Sequence, residues 1–265
     1  YIPVNKKNFT WKINLNLTHY KNKITYLPDE KKTTVMDGHG GYMNGSRYYG
    51  EDLPINTWYM KRFAGLSEDG LSLWYYTDKE TNEEKTTTTY STGDFYLCGD
   101  PNPDLYGGFG TSITFHGFDL STQFSYLVGG LTYDYGYAGM MGNPTATSVG
   151  NRWHKDVLKA WSPENPSSTI PRWHFNDLNT TGSSDRFLID GSYLNLQNIQ
   201  VGYTLPDSWT SHLKIKNLRL YFVCDNVYYW SKRKGLDPRR SISGVGTSGK
   251  IAPFRTYSGG ISLQF

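Results

Sequence analysis

The chain has 265 residues and a formal net charge of +3, from 27 Lys and Arg against 24 Asp and Glu; so small a balance does not ask for nucleic acid. Aromatic residues make up 16%, which excludes a disordered chain, and the polar, glycine-rich remainder argues against a helical bundle. No apolar run approaches the length of a membrane-spanning helix, but this does not bear on a membrane β-barrel, whose alternating strands never give a long apolar run. The two cysteines, Cys98 and Cys224, have neither zinc-site nor disulfide-framework spacing. With Tyr1 in place of an initiating Met, the chain reads as a piece of a longer protein.

Taken in chain order, the leading signal is period two. Phe9, Trp11, Ile13, Leu15 and Leu17 alternate with Thr10, Lys12, Asn14, Asn16 and Thr18, which predicts a strand between an apolar and a polar environment. After a long connection (28–53), residues 54–64 and 70–79 predict two further strands. A second long connection (80–106) leads to a strand over 107–115. The pair His116-Gly117 turns it into another, where Phe118, Leu120, Phe124, Tyr126 and Val128 alternate with Asp119, Ser121, Gln123 and Ser125. The connection 130–186 is the longest and holds a helical period near 152–161. Ile199, Val201, Tyr203 and Leu205 resume the alternation, followed by a weak helical segment over 207–213 and a strand over 218–230. The last strand, 254–265, alternates Tyr257, Ile261, Leu263 and Phe265 with Ser258, Gly260, Ser262 and Gln264.

These are about eight strands with lopsided connections, an arrangement of outer-membrane barrels, which put short turns on one side and long loops on the other. If Phe265 lies at the periplasmic side, Asn5-Lys6-Lys7-Asn8 lies there too, as a short turn from an earlier strand. A soluble two-sheet sandwich shares the alternation; lopsided loops and an aromatic terminal residue favour the membrane barrel.

Several motifs point to chemistry without completing it. Gly244 to Lys250 reads GVGTSGK, but Ile251 stands where a P-loop needs Ser or Thr, and Pro253 prevents a helix from following. Asp100, Asn102 and Asp104 have the spacing of a calcium loop, with Leu105 and Thr111 where Gly and Glu are required. The six histidines form no metal motif, and no frame singles out a catalytic serine. No enzyme, metal or cofactor is expected. Lys232, Arg233, Lys234, Arg239 and Arg240 form a basic cluster, read either as a phosphate contact (with lipopolysaccharide among the partners) or as a solvated loop. Tyr133, Tyr135, Tyr137, Trp153, Trp161 and Trp173 crowd the longest connection. They either present rings to a sugar or a partner, or form a local core that keeps the connection folded.

Longer runs are more specific. GDPNPDLYGGFG (99–110), the hairpin HGFDL (116–120), SYLNLQNIQVGYTLP (192–206), LRLYFVCDNVYYWSKRKGLDPR (218–239) and the closing YSGGISLQF (257–265) resemble, in order, the late barrel of SusC-like (SusC/RagA-type) TonB-dependent outer-membrane transporters. The stretch FTWKINLNLTHYKNKITYL (9–27) is similar to the same family, less specifically. The resemblance implies an all-β fold: an antiparallel transmembrane β-barrel segment, the C-terminal strands of a plugged barrel of roughly 22, with the plug and TonB box outside this chain. It implies import of oligosaccharides or peptides across the bacterial outer membrane, with a SusD-like surface lipoprotein as lid and TonB as the energy source. The tyrosines and tryptophans of 130–186 then become candidates to face substrate or lid, and Tyr257, Ile261, Leu263 and Phe265 the signal read during barrel assembly. Two readings from other classes remain: a self-contained small barrel acting as an adhesin, and a secreted carbohydrate-binding sandwich.

Overall fold

In the computed structural model, residues 1–145, 152–177, 179, 182–240, 243–245 and 253–265 are described. Strands β1 (Val4–Lys6) and β2 (Phe9–Thr18) form a hairpin through Lys7 and Asn8. Between β2 and the next long strand lie eight short strands: β3 (Thr34–Met36), β4 (His39–Asn44), β5 (Arg47–Gly50), β6 (Thr57–Lys61), β7 (Phe63–Leu66), β8 (Ser72–Thr77), β9 (Glu84–Thr87) and β10 (Phe95–Leu97). Then come β11 (Leu105–Phe115), β12 (Phe118–Val128), β13 (Leu131–Tyr133), helix α1 (Tyr135–Met140), β14 (Leu188–Asp190), β15 (Tyr193–Thr204), helix α2 (Asp207–Thr210), β16 (Asn217–Ser231) and β17 (Thr256–Gln264).

One antiparallel sheet dominates, in the order β1-β2-β11-β12-β15-β16-β17. Its long strands run 9 to 15 residues, against the 9–11 that a tilted strand needs to cross a bilayer. Every pairing joins strands consecutive in the wall, so the register settles both faces. Leu15 pairs with Phe109, Phe109 with Phe124, and Phe124 with Leu196. One step on, Trp11, Ile113, Leu120, Val201, Phe222 and Gly259 share a row. The apolar side chains of six strands thus form one belt. Among the described residues no second sheet covers it: Leu15 is 69% exposed, Val201 45% and Ile261 65%, the reverse of a sandwich core. The polar residues of the same strands line the other face.

The belt is edged by aromatic rows, as outer-membrane barrels are. Phe9, Phe115, Phe118 and Tyr203 lie side by side at the short-turn end, with Phe118 and Tyr203 ring centroids 4.3 Å apart. Tyr126, Tyr228 and Trp230 edge the other end, Tyr228 meeting Trp230 edge-on at 4.8 Å. The one indole donor low in the belt, Trp11 Nε1, is satisfied within the sheet by Thr111 Oγ1 at 2.8 Å, as hydrocarbon surroundings demand.

The connections alternate. Lys7-Asn8, His116-Gly117 and 205–216 close one end; the excursions 19–104, 129–192 and 232–255 all leave from the other. His116 and Gly117 both take positive φ, the pattern of a type I′ hairpin turn. Two of the expected strands stand elsewhere than anticipated. Residues 54–64 and 70–79 do form strands (β6, β7 and β8), but in the small sheets β10-β6-β5-β4-β3 and β7-β8-β9 of the first excursion, not in the large wall. Their apolar residues face a local core, which gives the same period as lipid does. The helical period at 152–161 becomes a 3-10 turn, Lys155–Lys159, and 207–213 becomes α2 followed by a 3-10 turn.

Candidate functional site: the polar wall and the folded loop layer

The polar face carries amides and hydroxyls bridged over glycines. Asn14 on β2 and Gln123 on β12 hydrogen-bond at 3.3 Å although β11 separates them. They meet over Gly110, where a Cβ would stand 2.3 Å from the Gln123 amide oxygen. Asp119 on β12 and Arg219 on β16 repeat the device across β15. Arg219 donates Nε to Oδ1 at 2.9 Å and a terminal nitrogen to Oδ2 at 2.6 Å. Gly202 lies between them, and a Cβ there would sit 2.5 Å from both partners. Asn16 accepts from the Gly108 backbone N–H at 2.8 Å, and Asn198 donates to Asp225 at 2.6 Å. This surface suits water and polar solutes, not lipid.

At the long-loop end the three excursions fold together. Trp58 and Met60 from the first, and Tyr133, Met141 and Phe187 from the second, form a buried core. Polar ties add to it. Arg47 stacks 3.1 Å over the Trp58 ring and donates to the Asn56 carbonyl and, in the third excursion, to that of Ser243; burial pushes its pKa down to about 10. Arg233 of the third excursion pairs with the buried Asp134 of the second. Asp185 accepts from the Phe63 N–H at 2.8 Å, and burial holds its carboxyl above the usual range. Lys61 is buried, donates to the carbonyls of Tyr90, Ser91 and Gly93, and has its pKa lowered by burial.

The candidate aromatics divide within this layer. Tyr133 is 3% exposed at its centre, and burial pushes its hydroxyl up to about 12. Tyr135 and Tyr137 pack half-buried against it, Tyr137 donating to Asp156 at 3.1 Å. Trp161 is half-buried with its ring on Gly70, whose φ is +74°. Trp153 and Trp173 meet edge-on at 5.5 Å, and Trp173 is 43% exposed. The sequence reading missed a cleft of about 520 Å³ between the upper rim of the polar face and the loop layer. Tyr20, Tyr106, Tyr193, Gln197 and Arg239 help line it. The parity of Tyr106 and Tyr193, opposite Leu127 on the polar face, was a signal that could have found it.

The other motifs resolve as follows. Asp100 accepts from the backbone and side chain of Asn102, a local turn, and no metal-holding group of His, Cys, Asp and Glu occurs among the described residues. Gly244 packs on Leu131 and Pro101, while positions 246–250 of GVGTSGK lie outside the described residues. Arg239 forks onto Asp237 and reaches Asn195 at 2.7 Å; the side chain of Arg240 lies outside the described set. At the closing strand, Tyr257, Ile261 and Leu263 sit in the apolar belt, and Lys216 donates to the Phe265 carbonyl at 3.0 Å.

A wall with one lipid-matched face, one polar face and all long loops folded at one end defines a segment of an outer-membrane β-barrel. No family profile matches the chain. It is similar to TonB-dependent receptor P3 of Formosa agariphila, at 28% identity over 99% of this chain and 27% of the relative. With TonB-dependent receptor SusC of Bacteroides thetaiotaomicron the identity is 26%, covering 99% of this chain and 25% of that one. The fold matches the RagAB peptide transporter with a TM-score of 0.80 and 22% identity, covering 100% of this chain and 28% of that one. The chain is thus similar, over nearly its whole length, to part of the SusC-like TonB-dependent receptors, and its fold is that of an outer-membrane barrel wall. It spans about a quarter of the length of the relatives it matches, which are receptors and a transporter, not enzymes.

Proposed function

We propose that this chain is the C-terminal wall and loop layer of a TonB-dependent importer of oligosaccharides or peptides, working under a SusD-like lipoprotein lid. The observation that carries the reading is the union of a polar wall with a prefolded layer over one end only. A passive polar pore would not need two excursions sharing a core and a third tied to them through Arg47 and Arg233. The cleft at Tyr20, Tyr106 and Tyr193 is the surface we assign to passing substrate, because its rings and hydroxyls face the polar side. Trp153 and Trp173 are assigned to the lid side. Tyr257, Ile261, Leu263 and Phe265 are assigned to the assembly signal, so deletion of Phe265 from the complete receptor should lower its outer-membrane level more than its synthesis.

The test is uptake of labelled oligosaccharide and peptide pools by cells carrying the complete receptor, with TonB present or deleted. Accumulation that requires both the receptor and TonB is the expected result. Accumulation unchanged by loss of either contradicts the importer reading.

A further inference from the structure

The basic cluster of the third excursion separates into two groups. Arg233 and Arg239 turn inward to Asp134 and Asp237. Lys232 and Lys234 remain exposed. Among the described residues no carboxylate pairs with Lys234; the Asp190 carboxyl feels the charge of Lys232 but is itself bonded to Ser192. Arg255, just before β17, supplies a third cation and reaches the Tyr257 hydroxyl on the apolar face. Lys234 and Arg255 line one cleft of about 560 Å³, together with Tyr228 and Trp230. Tyr228 and Trp230 belong to the apolar belt's upper aromatic row, since they pair with Leu196 and Leu194. Below Trp230, an apolar groove bordered by Phe109, Tyr126 and Leu194 continues down the lipid face.

Cations directly above an aromatic girdle stand at the depth of lipid headgroups, and there they attract phosphate. The paired arginines hold the loop; Lys232, Lys234 and Arg255 make no salt bridge among the described residues, and Arg255 reaches a neutral hydroxyl rather than a carboxylate. We propose that Lys234 and Arg255, flanked by Lys232, form a binding site for a phosphate of lipopolysaccharide in the outer leaflet, with its acyl chains along the Trp230 groove. The cleft stands at the rim, where Tyr229 and Arg239 of the polar side also line it, and its Trp230 wall opens to the lipid side; the site is independent of the import reading and rests on the loops facing outward.

The test uses the complete receptor purified from outer membranes in detergent, with bound lipopolysaccharide counted by native mass spectrometry. Lys232→Gln/Lys234→Gln/Arg255→Gln should weaken binding by about tenfold or more, while Lys234→Arg/Arg255→Lys retains it. On the unmodified receptor, enzymatically dephosphorylated lipopolysaccharide should bind about tenfold more weakly, a comparison that stands even if the triple variant fails to assemble. Equal binding of the phosphorylated and dephosphorylated lipid, or an unaltered triple variant, overturns the site. Inorganic phosphate bound as tightly as the lipid also overturns it, because the apolar groove would then contribute nothing.

Discussion

Glycine placement at two positions makes the polar face. Gly110 and Gly202 leave gaps through which Asn14 reaches Gln123 and Arg219 reaches Asp119, each across an intervening strand. An Ala at 202 would force its methyl into a fork already at 2.6 Å, so Gly202→Ala should cost about 1–3 kcal/mol, the usual range for overpacking, read from the unfolding midpoint of the refolded barrel. These glycines were visible in the sequence only as parts of longer runs. Their purpose depends on partners 109 and 100 residues apart, which no local pattern reveals. Asp185 gives a pH dependence. Burial raises its folded pKa above the unfolded value of about 3.9. Any stability it adds is therefore present below that value and is lost as pH rises through the folded pKa. Asn at this position still accepts from Phe63 N–H and carries no charge. Asp185→Asn should thus raise the unfolding temperature of the loop layer at pH 8, with a difference that shrinks toward pH 4.

Strands are where the sequence was most legible. The alternations at 9–17, 118–128, 199–204 and 257–264 became wall strands with the expected faces, while Leu205 and Phe265 fall one residue beyond the strand ends. The residues 54–64 and 70–79 show what alternation alone leaves open. Trp58 is wholly buried and Trp74 is 1% exposed inside the loop layer. A strand against a small core carries the same period as one against lipid. The loop core itself was harder to foresee, because Trp58, Tyr133 and Phe187 come from distant stretches and meet only when the wall brings the excursions to one end. Two expectations follow. Leu120→Arg or Val201→Arg should destabilise the folded barrel by about 2–4 kcal/mol if the position lies near the midplane, measured by denaturant titration in lipid vesicles; Ser121→Arg on the polar face should cost much less. Limited proteolysis should spare Trp58, Tyr133 and Phe187 together. Arg47→Ala, which frees the guanidinium contacts to Asn56 and Ser243, should expose the first and third excursions to cleavage at once.

Assembled, the wall, the belt and the layer describe an object oriented in a membrane. Short turns lie at one end and three excursions at the other, so the sheet has a direction as well as two faces. The resemblance seen in the runs at 99–110, 192–206 and 218–239 anticipated this arrangement. The cleft at Tyr106 and Tyr193 and the division of the basic cluster were beyond it, because both depend on which way a side chain leaves the rim. The central claim is that one face of this wall meets lipid and the other meets water. Single spin labels placed in turn from Phe118 to Val128, in the complete receptor reconstituted in vesicles, test it most directly. Collision with oxygen, which concentrates in lipid, should peak at Leu120, Thr122, Phe124 and Tyr126. Collision with a water-soluble nickel chelate should peak at the residues between them, giving two period-two profiles in opposite phase. Profiles in phase, or even positions shielded from both reagents as in the core of a sandwich, would contradict the account.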